Sequence, residues 1–218
     1  FLDENQRVTL KDIGSEELIK KYANELGAGV EIYELDSQFR CNGSDGYVAW
    51  LDNVLGIRNT ANFDIDGFDY DFKVFDDPNE LRAAIEEKNK ENNKSRIVAG
   101  YCWEWPNDKN RSNDNDKNIK ISQYNFEMSW NLSDGESFAI GEHTIKQAGC
   151  IHTTQGLEFD YVGVIIGDDM RYENEKVITD YTKRASTDRS LWGIKTMYKK
   201  DPENALKVAD EIIKNTYR

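Results

Sequence analysis

The sequence predicts an α/β fold in which helices cover both faces of a mainly parallel β-sheet. Short apolar runs alternate along the chain with longer segments in which apolar residues recur at helical spacing. The runs at residues 96–102 and 161–167 are almost continuously apolar, which is typical of strands buried on both faces. Strands that alternate with helices favour parallel pairing, because each connecting helix crosses over a face of the sheet.

Five helices are predicted from end signals and apolar spacing. Ser15 can cap a helix that runs to Leu26 and ends before Gly27, and its apolar residues share one face. Pro78 can open another helix that ends near Asn92. The predicted helices span residues 15–26, 45–55, 78–92, 190–200 and 202–217.

The strands are predicted from alternation or from continuous apolar character. They span residues 30–35, 69–75, 96–102, 124–132, 149–152, 161–167 and 175–180. The strand at 124–132 is predicted to lie at an edge of the sheet. Residues 107–118 are almost entirely Asn, Asp, Lys, Arg and Ser, which predicts a mobile polar loop rather than a domain boundary.

Composition limits the class of protein. The 218 residues are 38% hydrophobic and 32% charged, which indicates a globular protein with a heavily charged surface. No apolar run approaches the roughly 20 residues that a membrane helix needs, so no membrane partner is expected. Cys41, Cys102 and Cys150 are odd in number and scattered, which predicts a reducing cytoplasm. The net charge of −13 disfavours broad adhesion to nucleic acid but permits a local binding track.

The segment with the richest chemistry is Cys-Ile-His-Thr-Thr-Gln-Gly-Leu-Glu-Phe-Asp, at residues 150–160. Hydroxyls and backbone N–H groups can donate to phosphate, Gly156 allows close approach of the main chain, and Glu158 can accept from a ribose hydroxyl. These features predict a nucleotide- or phosphate-binding corner. A structural interpretation is compatible with it, in which Thr154 caps a following helix with Gln155 in its first turn.

Residues 152–160 resemble motif V of superfamily 1 helicases, in the variant carried by helicase-like bacterial ATPases related to the Schlafen group. In the same family order, residues 1–6 resemble motif III, residues 35–41 resemble motif IV, and residues 96–105 resemble a family-specific strand and loop. The resemblance spans nearly the whole chain. It implies a RecA-like domain of the P-loop NTPase type, forming the second, C-terminal lobe of a two-lobed motor.

On this resemblance, residues 1–218 form a single lobe that is truncated at both ends, and residues 1–8 are a remnant of the preceding lobe. The resemblance implies that Gln6 lies beside the terminal phosphate of ATP, and that Arg40 reaches ATP and Mg²⁺ held mainly by the N-terminal RecA-like lobe. A planar, permanently charged guanidinium suits the charge on a transferring phosphoryl group. The competing interpretations are a surface glutamine and a surface arginine paired with Asp36 or Asp45.

The resemblance further implies that Gln155, Gly156 and Glu158 face the nucleotide. His152, Thr153 and Thr154 would then face the phosphates of single-stranded DNA or RNA.

Two aromatic residues and two possible ligands have competing interpretations. Trp103, beside Trp105, can stack on a base, although packing in the core is the more common use of such residues. Cys150 and His152 are expected on the same side of a strand, but two ligands do not make a zinc site, and no metal is assigned.

The strand end at Asp168 and Asp169 superficially resembles a Walker B segment. No G-x-x-x-x-G-K-[ST] segment accompanies it, so both residues are predicted to be solvated strand-end carboxylates. The predicted function is the C-terminal half of an ATP-dependent helicase- or translocase-like protein. The chain is predicted to be inactive alone, because Walker A and Walker B segments are absent. The alternatives are an ATP-driven switch that acts on protein partners, and a non-catalytic interaction module.

Overall fold

The structure, a computed structural model, describes residues 2, 6–33, 45–65, 67, 70–105, 117–132 and 135–218. Within these residues the helices are α1 (Glu16–Glu25), α2 (Asp45–Val54), α3 (Pro78–Asn92), α4 (Gly135–Phe138), α5 (Ile151–Thr154), α6 (Ile194–Lys200) and α7 (Pro202–Tyr217). The strands are β1 (Ser95–Ala99), β2 (Ile119–Ile121), β3 (Phe126–Trp130), β4 (Gln147–Gly149), β5 (Tyr161–Ile165), β6 (Met170–Glu173) and β7 (Lys176–Thr179).

The main sheet has five strands in the order β2-β3-β4-β1-β5. β1 lies between β4 and β5 and pairs parallel with both, and β3 pairs parallel with β4. Only β2 is antiparallel to its neighbour in this sheet, and β6 and β7 form a separate antiparallel hairpin. The prediction of an α/β fold with a mostly parallel sheet is confirmed.

Helix α3 covers one face of the sheet at β1 and β5. Asp77 caps its first turn by accepting from the N–H of Asn79 at 2.8 Å. A side chain at Gly163 of β5 would place its Cβ 2.9 Å from Ile85, so the helix packs directly on the strand. The core on this side is a cluster of buried residues that includes Ile85, Ile97, Ala99, Phe126, Met128, Trp130 and Ile165.

A buried arginine joins α3, α4 and β1. Arg96 lies in β1 with no exposed surface, and its guanidinium donates to the carbonyl oxygens of Phe138 and Ala139 at 2.8 and 2.7 Å. It also donates to the carbonyl of Asn93, just after α3, at 3.0 Å. Burial lowers the pKa of this guanidinium. These bonds hold Phe138 next to Gly149, the last residue of β4.

Helices α6 and α7 build a second core beside the sheet. Asp201 caps α7 by accepting from the N–H of Asn204 at 3.1 Å. The apolar residues of this core are Leu191, Ile194, Ala205, Val208, Ala209 and Ile212. At its other end α7 reaches the carboxyl ends of the parallel strands, because the hydroxyl of Tyr217 accepts from the N–H of Gly167 at 3.1 Å.

Two predicted strands are absent from the part of the chain that the structure describes. Residues 70–75 form no strand, and their aromatic rings pack instead on α2, with Tyr70 stacked on Tyr47 at 3.9 Å and Phe72 edge-on to Trp50 at 4.9 Å between ring centroids. Residues 30–33 also form no strand, and residues 34–35 lie outside the described residues. The alternation at 70–75 therefore serves packing on a helix rather than pairing in a sheet.

The remaining elements differ from prediction mainly in their surroundings. β3 is not an edge strand, because β2, which was not predicted, pairs with it. Helix α1 has the predicted cap at Ser15 but contains no buried residue. Residues 107–116 of the predicted polar loop lie outside the described residues. No helix in the described ranges is both long and apolar enough to span a membrane.

Candidate nucleotide and strand site

The motif at 150–160 begins with a helical turn where a strand had been predicted. β4 ends at Gly149, and residues 151–154 form α5. The turn is closed by Thr153, whose hydroxyl oxygen accepts from the N–H of Cys150 at 2.8 Å. The expectation that Cys150 and His152 share one side of a strand is therefore wrong, because His152 lies on a helical turn.

Both threonine hydroxyls of the motif are used by the backbone. Thr153 is buried and donates to the carbonyl of Cys150 at 2.8 Å. Thr154 donates to the carbonyls of Cys150 and Ile151, each at 3.2 Å. Thr154 is the last residue of α5, so the interpretation that it caps a following helix is wrong. In this conformation the hydroxyls shape the turn, and its exposed side chain is that of His152.

After α5 the chain turns at a glycine. Gln155 is exposed, and Gly156 has φ of +81°, a left-handed conformation that glycine adopts without strain. No atom lies within 4 Å of a Cβ built at Gly156, so the space beside its main chain is open. Glu158 is also exposed, and the N–H of Asp160 then donates to the carbonyl of Lys94 at 2.8 Å to lead into β5.

A cleft of about 800 Å³ lies between this turn and the N-terminal segment of the chain. Three of the predicted site residues, Gln6, His152 and Gln155, line it together. Gly156 and Glu158 are exposed nearby in sequence but do not line the cleft. Its other lining residues are Leu2, Arg7, Val8, Lys11, Asp12, Ile13, Gly14, Ser15 and Glu211.

The N-terminal wall of the cleft is fixed to the rest of the molecule by its backbone. The side-chain amide of Asn215 in α7 donates to the carbonyl of Arg7 at 2.9 Å. The N–H of Leu10 donates to the carbonyl of Ser190 at 2.8 Å. The segment around Arg7 is thereby held against α7, the last helix of the chain. In this position Gln6 lies at the same cleft as the 150–160 motif, which is about 150 residues away in sequence.

Each free polar side chain of the cleft offers at least one donor. Asp12 is occupied by the N–H groups of Val8 and Thr9, at 3.0 and 2.8 Å, and Glu211 faces Arg7 at 3.8 Å. The amides of Gln6 and Gln155, the imidazole of His152 and the ammonium of Lys11 remain to interact with a ligand. Donors around a cleft whose carboxylates are already engaged suit a phosphate-bearing ligand. Lys11 was not identified from the sequence, because an isolated lysine gives no signal of its own.

Two further residues were predicted for the site, Arg40 and Trp103. Arg40 is outside the described residues. Trp103 is half-buried and packs against the core cluster, and its neighbour Trp105 meets Trp130 edge-on at 4.9 Å. These contacts favour the packing interpretation of Trp103 over a stacking platform. In the described ranges no group of three or more His, Cys, Asp or Glu side chains is arranged to hold a metal ion.

A buried ionic network stands behind the cleft. Asp169, predicted to be a solvated carboxylate, has no exposed surface and accepts from Arg184 Nε at 2.7 Å and from the Tyr217 hydroxyl at 2.6 Å. Arg184 also lies 3.3 Å from Asp188. Burial opposes the charge on the guanidinium, but the two carboxylates outweigh it and raise the pKa of Arg184. The prediction holds for the exposed Asp168 and is wrong for Asp169.

This network supports the wall of the cleft. Arg184 donates to the hydroxyl of Ser190 at 3.0 Å, and the carbonyl of Ser190 accepts from Leu10 in the wall. Arg184 also donates to Thr216 at 2.9 Å, next to Asn215, which holds Arg7. Sequence reasoning missed Arg184 because its partners lie up to 32 residues away along the chain.

Comparisons with known proteins give one family. The family model described as Schlafen group 3, DNA/RNA helicase domain, matches residues 1–218. YPL245W, an uncharacterised protein of Saccharomyces cerevisiae strain S288c, is 26% identical over 214 residues, which cover 91% of this chain and 45% of the yeast protein. The chain thus spans less than half the length of that relative. No solved structure matches the chain. With the family model matched along its whole length, the chain belongs to the Schlafen group 3 family of DNA/RNA helicase domains.

Proposed function

We propose that this chain is the C-terminal, RecA-like lobe of a superfamily 1 helicase-like ATPase, and that it completes an ATP site held mainly by a preceding lobe. One observation carries the proposal. Gln6, from the segment that resembles motif III, shares a cleft with His152 and Gln155, from the segment that resembles motif V. Two segments far apart in sequence and predicted to act on one ligand thus meet at the carboxyl end of a parallel strand, where ligands of open α/β sheets bind.

The residues of the proposed site contact different parts of the nucleotide. Gln6 and Gln155 donate amide hydrogens toward the phosphate chain, and Lys11 adds a positive charge at the same wall. Gly156 leaves its main chain open to close approach, and Glu158 follows as an exposed acceptor for a ribose hydroxyl. Arg40 supplies the guanidinium that offsets the charge on the transferring phosphoryl group. When bound with Mg²⁺, ATP supplies the free energy for movement of one lobe against the other.

Single-stranded nucleic acid is the proposed second ligand. His152 is the exposed member of α5, and it lies in the same cleft as Gln6. Thr153 and Thr154 act indirectly in this arrangement, because their hydroxyls close the turn that presents His152. Because His152 lies in α5 and Gln155 follows it directly, a strand bound at His152 can shift the phosphate contact made by Gln155. Trp103 is proposed to support this region by packing rather than by stacking on a base.

The test is ATP hydrolysis by the complete protein that carries this chain, measured with and without single-stranded DNA and RNA at fixed salt. We expect hydrolysis that a strand stimulates, and a loss on the order of 10³-fold in Arg40→Ala. Arg171→Ala is the matched control, because Arg171 is an exposed arginine that pairs with Glu173 at 2.9 Å and does not line the cleft. Both variants are checked for folding by circular dichroism.

Three results would contradict the proposal in different ways. Hydrolysis that depends on Arg40 but not on any strand indicates an ATP-driven switch acting on protein. Unchanged hydrolysis in Arg40→Ala removes this residue from the ATP site. Absence of hydrolysis in the complete protein, with ATP and Mg²⁺ present, indicates a non-catalytic interaction module.

A further inference from the structure

A basic and aromatic surface lies on α6, outside the cleft. In a chain with net charge −13, residues 183–200 contain six basic residues and one acidic residue, Asp188. Arg184 and Asp188 pair with each other in the interior, so the remaining five cations of the segment face outward. This is a local reversal of the overall charge.

Three of the exposed cations of this segment have no carboxylate partner among the described residues. Arg189, Lys195 and Lys199 are exposed, and none of them has an ion pair with another residue that the structure describes. Lysines on other elements differ, since Lys20 is paired with Glu16 and Lys90 with Glu87. Unpaired cations close together attract a polyanion more strongly than cations with carboxylate partners.

Two aromatic rings stand among these cations. Trp192 is 57% exposed, and the guanidinium of Arg189 lies 5.1 Å from its ring centroid. Tyr198 is 40% exposed and lies 6.4 Å from the ring of Tyr181. Large apolar rings are normally withdrawn from water, and exposed rings beside cations are the arrangement on which unpaired bases stack.

Helical geometry gathers the three members of this group that lie in α6 on one side. Lys195, Tyr198 and Lys199 are three and four positions apart in α6, so they share one face of the helix. Trp192 precedes Lys195 by three positions, in the turn that leads into α6. The helix is anchored by Ile194, which is buried in the core shared with α7. The α6 surface, defined by Arg189, Trp192, Lys195, Tyr198 and Lys199, is thus held on a fixed support.

The α6 surface adjoins the wall of the cleft. Leu10 packs against the apolar core beneath α6, and its N–H donates to the carbonyl of Ser190, one residue after Arg189. The next residue, Lys11, lines the cleft. The α6 surface and the Lys11 side of the cleft therefore share a support at Leu10.

We propose that the α6 surface binds single-stranded nucleic acid, as a second contact that extends the strand path of the proposed function. The charges attract the phosphates, and Trp192 and Tyr198 stack on bases without regard to sequence. The lysines around the rings favour an unpaired strand over an acidic protein, because lysine is depleted from the cores of protein interfaces but contacts phosphates readily. The inference rests on the proposed function only for the identity of the ligand.

The test is equilibrium binding of the complete protein to fluorescently labelled single-stranded oligo(dT) and oligo(U), measured by anisotropy over a range of salt concentrations. The double variant Lys195→Ala/Lys199→Ala is expected to weaken binding and to reduce the slope of log affinity against log salt by about 1.4, or about 0.7 for each phosphate contact. Trp192→Ala is expected to weaken binding roughly 5- to 150-fold, and Trp192→Phe to restore most of it.

The matched control is Lys20→Ala/Lys90→Ala, which removes the same charge from α1 and α3. Weakening equal to that of the α6 pair would overturn the proposal, because it would show an effect of net charge alone. Strand binding that all of the α6 variants leave unchanged would also overturn it, while the proposed function would stand. If the unmodified protein binds no strand, this proposal fails together with the strand-binding part of the proposed function, while hydrolysis by Arg40→Ala still tests the ATP site. If anionic lipid vesicles bind with the same dependence on Lys195 and Lys199 and the oligonucleotides do not, the surface serves a membrane and the proposal is wrong.

Discussion

Substitution of Asp169 by Asn provides a sharp test of the structure behind the cleft. The carboxylate has no exposed surface and accepts from Arg184 Nε at 2.7 Å and from the Tyr217 hydroxyl at 2.6 Å. Removing one partner of a buried ion pair costs about 3–5 kcal/mol, because the other charge stays buried. Asp188 remains 3.3 Å from Arg184, so the lower end of this range applies. We expect Asp169→Asn to reduce the free energy of unfolding by about 3 kcal/mol.

The assay is urea-induced unfolding followed by tryptophan fluorescence and by circular dichroism. Asp168→Asn is the matched control, since the neighbouring carboxylate is exposed and its substitution is expected to change stability by less than about 0.5 kcal/mol. Equal effects of the two substitutions would refute the reasoning, because they would place Asp169 in solvent, as the sequence alone had suggested. A loss confined to Asp169→Asn supports the network as the anchor of α7.

Three more predictions concern the motif and its support. Gly156→Ala is expected to cost about 1–2 kcal/mol of unfolding free energy because φ is +81°, whereas Gly29→Ala, in equally open space, is expected to cost far less. Gly149→Ala would place a Cβ 2.6 Å from Phe138, so a loss of about 1–3 kcal/mol is expected in the same urea assay. Partial burial, with the nearby carboxylate of Asp169, raises the pKa of the Cys102 thiol to about 12, so this thiol stays protonated at pH 8. Peptide mapping after iodoacetamide treatment is expected to show much slower labelling of Cys102 in the folded protein than in urea, and equally rapid labelling would contradict the raised pKa.

The elements that sequence predicted best carry their signals within a few residues. Helices α3 and α7 have an aspartate cap followed by proline, and both were predicted within a residue of their observed bounds. The adjacent parallel strands β1 and β5 were found from their continuous apolar runs. Local chemistry is sufficient for such elements.

Features set by distant partners were not predictable in this way. Alternation at 70–75 suggested a strand, but the pattern does not say whether another strand or a helix such as α2 receives the apolar residues. Asp168 and Asp169 look equivalent in sequence, yet only one of them turns toward Arg184, which lies 15 residues further along the chain. The sequence pattern placed His152 in a strand, but the structure has a helical turn there. The hydroxyl of Thr153 closes this turn, and periodicity does not reveal such a local hydrogen bond.

Some of the residues that the sequence grouped into one site lie close together in the structure, and other candidate residues were identified only there. Gln6, His152 and Gln155 converge on one cleft, whereas Lys11 and the α6 surface emerged only from the structure. The sequence gives no signal for these lysines, and the reason is physical. Which surface lysines lack a carboxylate partner depends on tertiary packing and not on their spacing in the sequence.

The central claim is that two distant segments act on ligands through one cleft. A double-mutant cycle on strand-stimulated ATP hydrolysis by the complete protein, using Gln6→Ala, His152→Ala and the combined variant, tests it most directly. The account predicts that each single variant lowers the stimulated rate and that the combined loss differs from the sum of the two by at least about 0.5 kcal/mol in activation free energy. Losses that simply add, or a stimulated rate unchanged by either substitution, would contradict a shared site.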